Sequence, residues 1–186
     1  MNTHMGYFLL AVAVLLVLLA AGSGYYYKKT RKRSRETWEQ LLARLAAVNS
    51  ENIQQIAFDT IDDSGRPRTD DRAKDLKPEE IWRLVGGLNG LETLERNSLV
   101  LIDIAFYLQR WYPEALIAAE ELRLKAREIE WHVGRLRAAP STNELESGFA
   151  NDAQNTAAAY YLMTRRLRLL FEASRLPILA DVHRVI

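Results

Sequence analysis

The chain has 186 residues, no cysteine and a formal net charge of +1, and 48% of its residues are hydrophobic. The lack of cysteine excludes disulfide bonds, thiolate metal sites and lipid-modified cysteines. The near-neutral charge hides an uneven distribution. Residues 1–35 contain six basic and no acidic residues, so residues 36–186 hold 19 basic and 24 acidic residues, a net charge of −5.

An apolar run near the N-terminus predicts a single transmembrane helix. Residues 5–27 contain no charged side chain, and a span of this length crosses a hydrocarbon core about 30 Å thick at about 1.5 Å per residue. Tyr7 and Phe8 at one end and the tyrosines at 25–27 match the headgroup regions. A cleavable signal peptide is the alternative, because small residues lie at 20–24. The uncharged leading segment and the basic residues that follow favour a retained span.

A basic cluster follows this run directly. We name it the basic collar, and it consists of Lys28, Lys29, Arg31, Lys32, Arg33 and Arg35. By the positive-inside rule, the short N-terminal tail lies outside and the rest of the chain is cytoplasmic. The collar is expected to bind anionic lipid headgroups at the bilayer surface. Nucleic acid is not an expected partner, because the part of the chain after the collar is acidic.

Residues 36–186 are predicted to form one all-α domain, a soluble antiparallel helical bundle of about four long helices. Apolar residues recur every three or four positions over 36–48, 91–111, 113–138 and a final long segment that ends before Pro177. A shorter helix begins at Pro78. Short corners at 86–90, 111–113 and 139–143 favour antiparallel neighbours. After 48 the pattern resumes at Ile53, which indicates either a second helix capped by Ser50 or one continuous helix.

The domain organisation is therefore a tail and span at 1–27, the basic collar at 28–35 and the bundle at 36–186. Within the bundle, residues 59–77 are a polar surface connection rich in aspartate. The spacing of Asp62, Ser64, Gly65 and Asp71 partly matches a calcium-binding loop. Thr60 occupies the first position, where an acid is expected, so calcium binding is not predicted.

The most apolar segment of the bundle, 91–111, is predicted to be its central helix, with Asp103 at its centre. A buried carboxylate needs a partner. Tyr107 lies one turn further on, and Arg165 or Arg166 of the final helix are candidate cations. We interpret Asp103 as a structural bridge. The alternative is a buried polar site that uses Asp103, Tyr107 and an arginine to bind a ligand.

The helix over 113–138 carries a second apolar pattern beside its main one. Ile117, Leu124 and Trp131 recur seven residues apart, which indicates packing against more than one neighbour. A solvated charge ladder with helical spacing is expected on the other side of this helix, formed by Glu121, Lys125, Glu128 and His132. A di-iron site is not predicted, because it needs Glu-x-x-His on two helices and the chain has three histidines in all.

Two functions remain open from the sequence. The first, which we favour, is a membrane-anchored, non-enzymatic helical interaction module, either a scaffold or an accessory subunit, with a protein partner or self-association. No catalytic, metal-binding or cofactor-binding residue is predicted for it. The alternative is a ligand-binding or enzymatic bundle that acts on a membrane-derived molecule through Asp103 and Tyr107. The polar loop at 59–77 or the apolar tail at 178–186 is expected to contribute to partner binding.

Overall fold

The structure is a computed structural model that describes residues 7, 10–22, 36–62, 64–68, 76–139 and 142–174. The chain divides into two compact units, Met1–Glu36 and Thr37–Ile186. Within the described residues the regular structure is helical, apart from one isolated antiparallel bridge between Ile61 and Pro67. The predicted all-α class is confirmed.

In the first unit, residues 10–22 are helical, and we label this helix α1. All of its side chains are exposed, so its apolar residues point outward on every side of the helix. In the part of the chain that the structure describes, no helix combines the length and the apolar character needed to cross a membrane. The basic collar lies outside the described residues.

The described part of the second unit contains six helices. They are α2 (Trp38–Ala43), α3 (Ser50–Phe58), α4 (Pro78–Val85), α5 (Gly87–Leu108), α6 (Ala115–Arg137) and α7 (Thr142–Ser174). Three of them are long, at 22, 23 and 33 residues for α5, α6 and α7, whereas about four long helices were predicted. Near the end of α6, Arg137 pairs with Glu92 and Glu95 near the start of α5, so these two helices are antiparallel.

The predicted helix over 36–48 ends at Ala43, which is why the described part of this unit has three long helices where about four were predicted. The side chain of Thr37 caps α2 by accepting from the Gln40 backbone N–H, and the helix ends at Ala43. The side chain of Asn97 on α5 then takes both backbone groups of Ala46: its oxygen accepts from Ala46 N at 3.0 Å and its Nδ2 donates to Ala46 O at 2.8 Å. These groups are no longer available to continue a helix. The next helix is capped by Asn49, and not by Ser50.

The core is built around α5, as predicted. Its buried residues lie on nearly every side of the helix and include Leu91, Leu94, Leu101, Ile104 and Leu108. The facing sides of α6 and α7 present buried alanines, which let the three long helices pack closely. From Asn97 onward nearly every side chain of α5 is buried, so the polar side chains of Asn97 and Asp103 meet other parts of the chain and not water.

The corner between α4 and α5 is tighter than the predicted joint over 86–90. Only Gly86 separates the two helices, and its φ of 82° lies in the left-handed region that favours glycine. A Cβ on Gly90 would lie 1.7 Å from the carbonyl oxygen of Val85, so the first turn of α5 rests directly on the end of α4.

Part of the predicted polar connection folds as a local turn. Asp62 Oδ1 accepts from the backbone N–H groups of Ser64, at 2.8 Å, and Arg66, at 2.9 Å. The hydrogen bond that the Ser64 hydroxyl donates to Asp62 lowers the pKa of this carboxyl most, and the two backbone hydrogen bonds lower it further. Position 71 lies outside the described residues, as does the tail at 178–186.

Candidate functional site

Asp103 lies buried in α5 and forms an ion pair with Arg44, which follows α2 directly. Arg44 Nη2 donates to Asp103 Oδ2 at 3.0 Å, and the arginine side chain is 41% exposed while the aspartate side chain is 7% exposed. The sequence pattern did not single out Arg44. Of the two candidate arginines, Arg166 pairs with Glu121 of α6, and Arg165 is half-buried on α7.

Tyr107 belongs to a row of aromatic rings at the end of α5. Its ring centre lies 5.7 Å from that of Trp38 and 5.0 Å from that of Trp111, and the Arg110 guanidinium lies 4.6 Å from the Tyr107 ring centre. Trp38 also contacts Phe171 of α7 edge to face. The row therefore joins α2 to both α5 and α7.

A cavity of about 120 Å³ lies between α3 and α7, next to the extended segment that precedes α3. Its polar lining comes from Ser50, Gln54, Tyr160, Thr164 and Arg168. Such a volume holds a few water molecules, at about 30 Å³ each. Asp103 and Tyr107 do not line it.

Tyr160 connects this cavity to the Asn97 contact. Its hydroxyl accepts from Asn97 Nδ2 at 3.3 Å. Burial raises the pKa of Tyr160, and the hydrogen bond from Asn97 opposes part of that rise. The phenol therefore stays neutral at physiological pH and acts as a structural acceptor.

His132 is buried, and its predicted place on a solvated charge ladder is wrong. Its Nδ1 lies 2.7 Å from Asp152 Oδ1 on α7, and Arg135 Nη1 approaches the same oxygen at 3.4 Å. The reason is that α7 packs against this side of α6. Within the described residues, no group of three or more metal-ligating side chains is close enough to hold an ion.

Ile117, Leu124 and Trp131 form an exposed row along α6, which we name the α6 stripe. Their side chains are 62%, 66% and 57% exposed. The spacing predicted a second packing neighbour for α6 at this stripe. Among the described elements nothing covers it, because α5 and α7 contact the opposite side of the helix, where the buried residues of α6 lie. An exposed apolar row of this kind is a candidate interaction surface.

The stripe is bordered by charged residues. Arg127 lies between Leu124 and Trp131, is exposed, and makes no ion pair with any residue in the described part of the chain. The guanidinium of Arg135 lies 4.8 Å from the Trp131 ring centre. Beside it, Gly134 has no atom within 4 Å of its potential Cβ position, so the surface there is open.

Comparison of the sequence with protein-family models gives no match, and comparisons with curated proteins and with solved structures give none either. No role is therefore carried over from a relative. The contacts and exposure of the chain's own residues decide which surface is the candidate site, and the α6 stripe is that surface.

Three residues that organise the bundle were not selected from the sequence. Arg44 and Asp152 are single charges in amphipathic segments, where most charges face solvent, so nothing in the local pattern sets them apart. Asn97 carried a signal: it stands within the most apolar segment, where an amide that is buried needs partners.

Proposed function

We propose that this chain is a membrane-anchored helical interaction module without enzymatic activity, and that it binds its partner through the α6 stripe. The observation that carries the proposal is the exposure of Ile117, Leu124 and Trp131. Three large apolar side chains at seven-residue spacing on one face are typical of a helix that packs against another helix. Single apolar residues scattered over the surface would not indicate a packing interface.

The membrane anchor in this proposal is the uncharged run at 5–27. Its support is the length of the run and the outward-facing apolar side chains of α1, which include Leu15, Leu16 and Leu18 at 57–64% exposure. A helix that is apolar on all sides needs either a protein core or lipid around it. The basic collar then lies at the cytoplasmic surface, where it contacts anionic lipid headgroups, and the second unit is cytoplasmic.

The non-enzymatic part of the proposal is supported by how the buried polar groups are used. Asp103 is paired with Arg44, and His132 is paired with Asp152. Both pairs tie one helical element to another, which is a structural use of these groups. The cavity between α3 and α7 is lined by neither pair.

Membrane anchoring is tested by fractionation of the full-length chain. We expect the protein to stay with the membrane pellet after washes with high salt and with alkaline carbonate, because a span resists both. A variant lacking residues 5–27 should move to the soluble fraction. Release of the full-length chain by salt alone would mean that it is held only by the charges of the collar. Protease protection in sealed vesicles then tests the orientation.

Partner binding is tested by native gel electrophoresis of mildly solubilised membranes. The full-length chain should migrate in a complex larger than its own 21.3 kDa, and Leu124→Glu should shift it to the smaller species. Leu99→Glu is the matched control, because Leu99 is also exposed, at 50%, but lies on α5 away from the stripe. Equal migration of the two variants would contradict the role given to the stripe.

A further inference from the structure

We propose that the occupant of the α6 stripe is α6 of a second copy of this chain, packed in the antiparallel direction. This inference rests on the proposed function, and it names the partner of the same surface. Two-fold symmetry places Leu124 against Leu124 of the other copy. It also places Ile117 of each copy against Trp131 of the other. The three apolar residues then form one continuous seam, since the stripe is symmetric about its middle residue.

The charges beside the stripe favour this partner and this direction. Glu120 and Arg127 lie on the same side of the stripe, four residues before and three residues after its middle residue, Leu124. In an antiparallel pair, Glu120 of each copy, which already accepts from Arg123 of its own chain at 2.9 and 3.0 Å, also meets Arg127 of the other. On the opposite side of the stripe, Glu114 and Arg135 meet in the same way. A face that carries both signs of charge in reversed order is complementary to itself.

Arg127 is the clearest of these residues. It is exposed and forms no ion pair with the residues that the structure describes, although it stands between two apolar side chains of the stripe. A parallel pair would bring Glu120 against Glu121 of the other copy, so two acids would face each other. It would also bring Arg127 against Glu128. Both directions therefore give the Arg127 guanidinium a carboxylate partner, but only the antiparallel pair also brings Glu114 of one copy against Arg135 of the other.

One contact of the antiparallel pair joins like charges, namely Glu121 with Glu128 of the other copy. Each of these acids already has a cation in its own chain. Glu121 pairs with Arg166, and Glu128 pairs with Lys125 at 2.7 Å. The repulsion between the two acids is therefore reduced by cations that are present before association.

The natural absence of cysteine makes this geometry directly testable, because one introduced thiol is the only thiol in the chain. Full-length chains carrying Leu124→Cys, Ile117→Cys or Trp131→Cys are oxidised in native membranes, and products are identified by denaturing gel and mass spectrometry. We expect a covalent homodimer from Leu124→Cys alone. The Ile117→Cys variant alone should give none, because the two thiols would be about 21 Å apart along the helices, at 1.5 Å per residue.

Co-expression of the Ile117→Cys and Trp131→Cys chains should restore the crosslink between the two different variants. Leu99→Cys is the matched control and should give only background. Self-crosslinking of Ile117→Cys at the level of Leu124→Cys would overturn the antiparallel arrangement. A Leu124→Cys crosslink only to a different protein would overturn the second copy as occupant and leave the interaction module standing. The absence of a crosslink from the stripe to any protein would contradict both the second copy as occupant and the interaction module.

A charge exchange gives a second test, which asks whether the ion pair between Glu120 and Arg127 contributes to dimer formation. In the Leu124→Cys background, Glu120→Arg or Arg127→Glu alone should reduce the homodimer yield severalfold, because each brings like charges together. The double variant restores opposite charges in the exchanged order and should recover the yield. A double variant that dimerises as poorly as the single ones would contradict the pairing, and circular dichroism of each variant confirms that it is folded.

Discussion

Replacing Asn97 by aspartate changes one NH₂ group into an oxygen and leaves the size of the side chain nearly unchanged. In the folded protein that NH₂ group donates to Ala46 O at 2.8 Å and to the Tyr160 hydroxyl at 3.3 Å. An ionised carboxylate at this position would set an oxygen against the Ala46 carbonyl, in a site that is 1% exposed. We therefore expect Asn97→Asp to destabilise the fold strongly at neutral pH.

The size of the effect depends on pH, because a protonated carboxyl can donate to Ala46 O and accept from Ala46 N, as the amide of Asn97 does. Burial raises the pKa of the introduced carboxyl in the folded state above its unfolded value of about 3.9. The stability of the variant is therefore retained below about pH 4 and is lost as the pH rises toward the folded-state pKa, by about 1.4 kcal/mol per pH unit. A pKa raised by about three units gives a loss of about 4 kcal/mol at pH 7.5, a large part of a typical stability of about 5–15 kcal/mol.

The measurement is urea unfolding of the full-length chain, followed by circular dichroism at pH 4.5, 6.0 and 7.5 in one detergent. Asn89→Asp is the matched control, because Asn89 lies on the same helix but is exposed. The difference in unfolding free energy between Asn97→Asp and wild type should grow with pH, while that of Asn89→Asp stays flat. A difference for Asn97→Asp that is the same at all three pH values would refute the reasoning.

Three further predictions concern the α4–α5 corner, the buried ion pair and the buried phenol. Gly90→Ala places a Cβ 1.7 Å from Val85 O, and we expect a loss of about 1–3 kcal/mol, measured as a lower thermal midpoint. A double-mutant cycle with Asp103→Asn and Arg44→Gln should give a coupling of about 1–2 kcal/mol in urea unfolding. Burial raises the pKa of Tyr160, so the wild type should lose stability as the pH rises above about 10. Tyr160→Phe should lose less over the same pH range.

Each of these three predictions has its own control or contrary result. Gly134→Ala on α6 meets no atom within 4 Å and should raise the unfolding free energy by about 0.5–1 kcal/mol. A Gly90→Ala variant as stable as wild type would show that the α4–α5 corner accommodates the added Cβ without a loss of stability. Additive effects in the cycle would mean that the ion pair contributes nothing. Equal alkaline losses for Tyr160→Phe and wild type would assign the loss to other groups.

The sequence predicted those features of the bundle that depend on neighbouring residues. Helical periodicity predicted the bounds of α6 to within two residues and the presence of α5, although α5 begins and ends about one turn earlier than predicted, and Pro78 marked the start of α4, because these signals are local. The break after α2 could not be predicted, since it depends on a side chain 51 residues away, Asn97, that binds the backbone of Ala46. The burial of His132 likewise depends on a helix that comes later in the chain.

The candidate site, too, could be predicted only in part from the sequence. The seven-residue spacing of Ile117, Leu124 and Trp131 is visible in the sequence and predicted a packing surface. Whether a surface is covered within the same chain depends on where α5 and α7 lie, and spacing alone does not contain that information. The structure supplied it by placing both helices on the other side of α6.

The way α2 is fastened has a mechanical consequence. A pull on the chain at the point where the second unit begins loads α2 first, and this helix has only six residues. Trp38 packs against Phe171 of α7, Arg44 forms an ion pair with Asp103 of α5, and the side chain of Asn97 hydrogen-bonds to the backbone that follows α2. A force applied there is therefore transmitted to both α5 and α7 through these three contacts before it reaches α3. A force applied at this end therefore acts on the core of the bundle as a whole, and α2 does not separate from the core on its own.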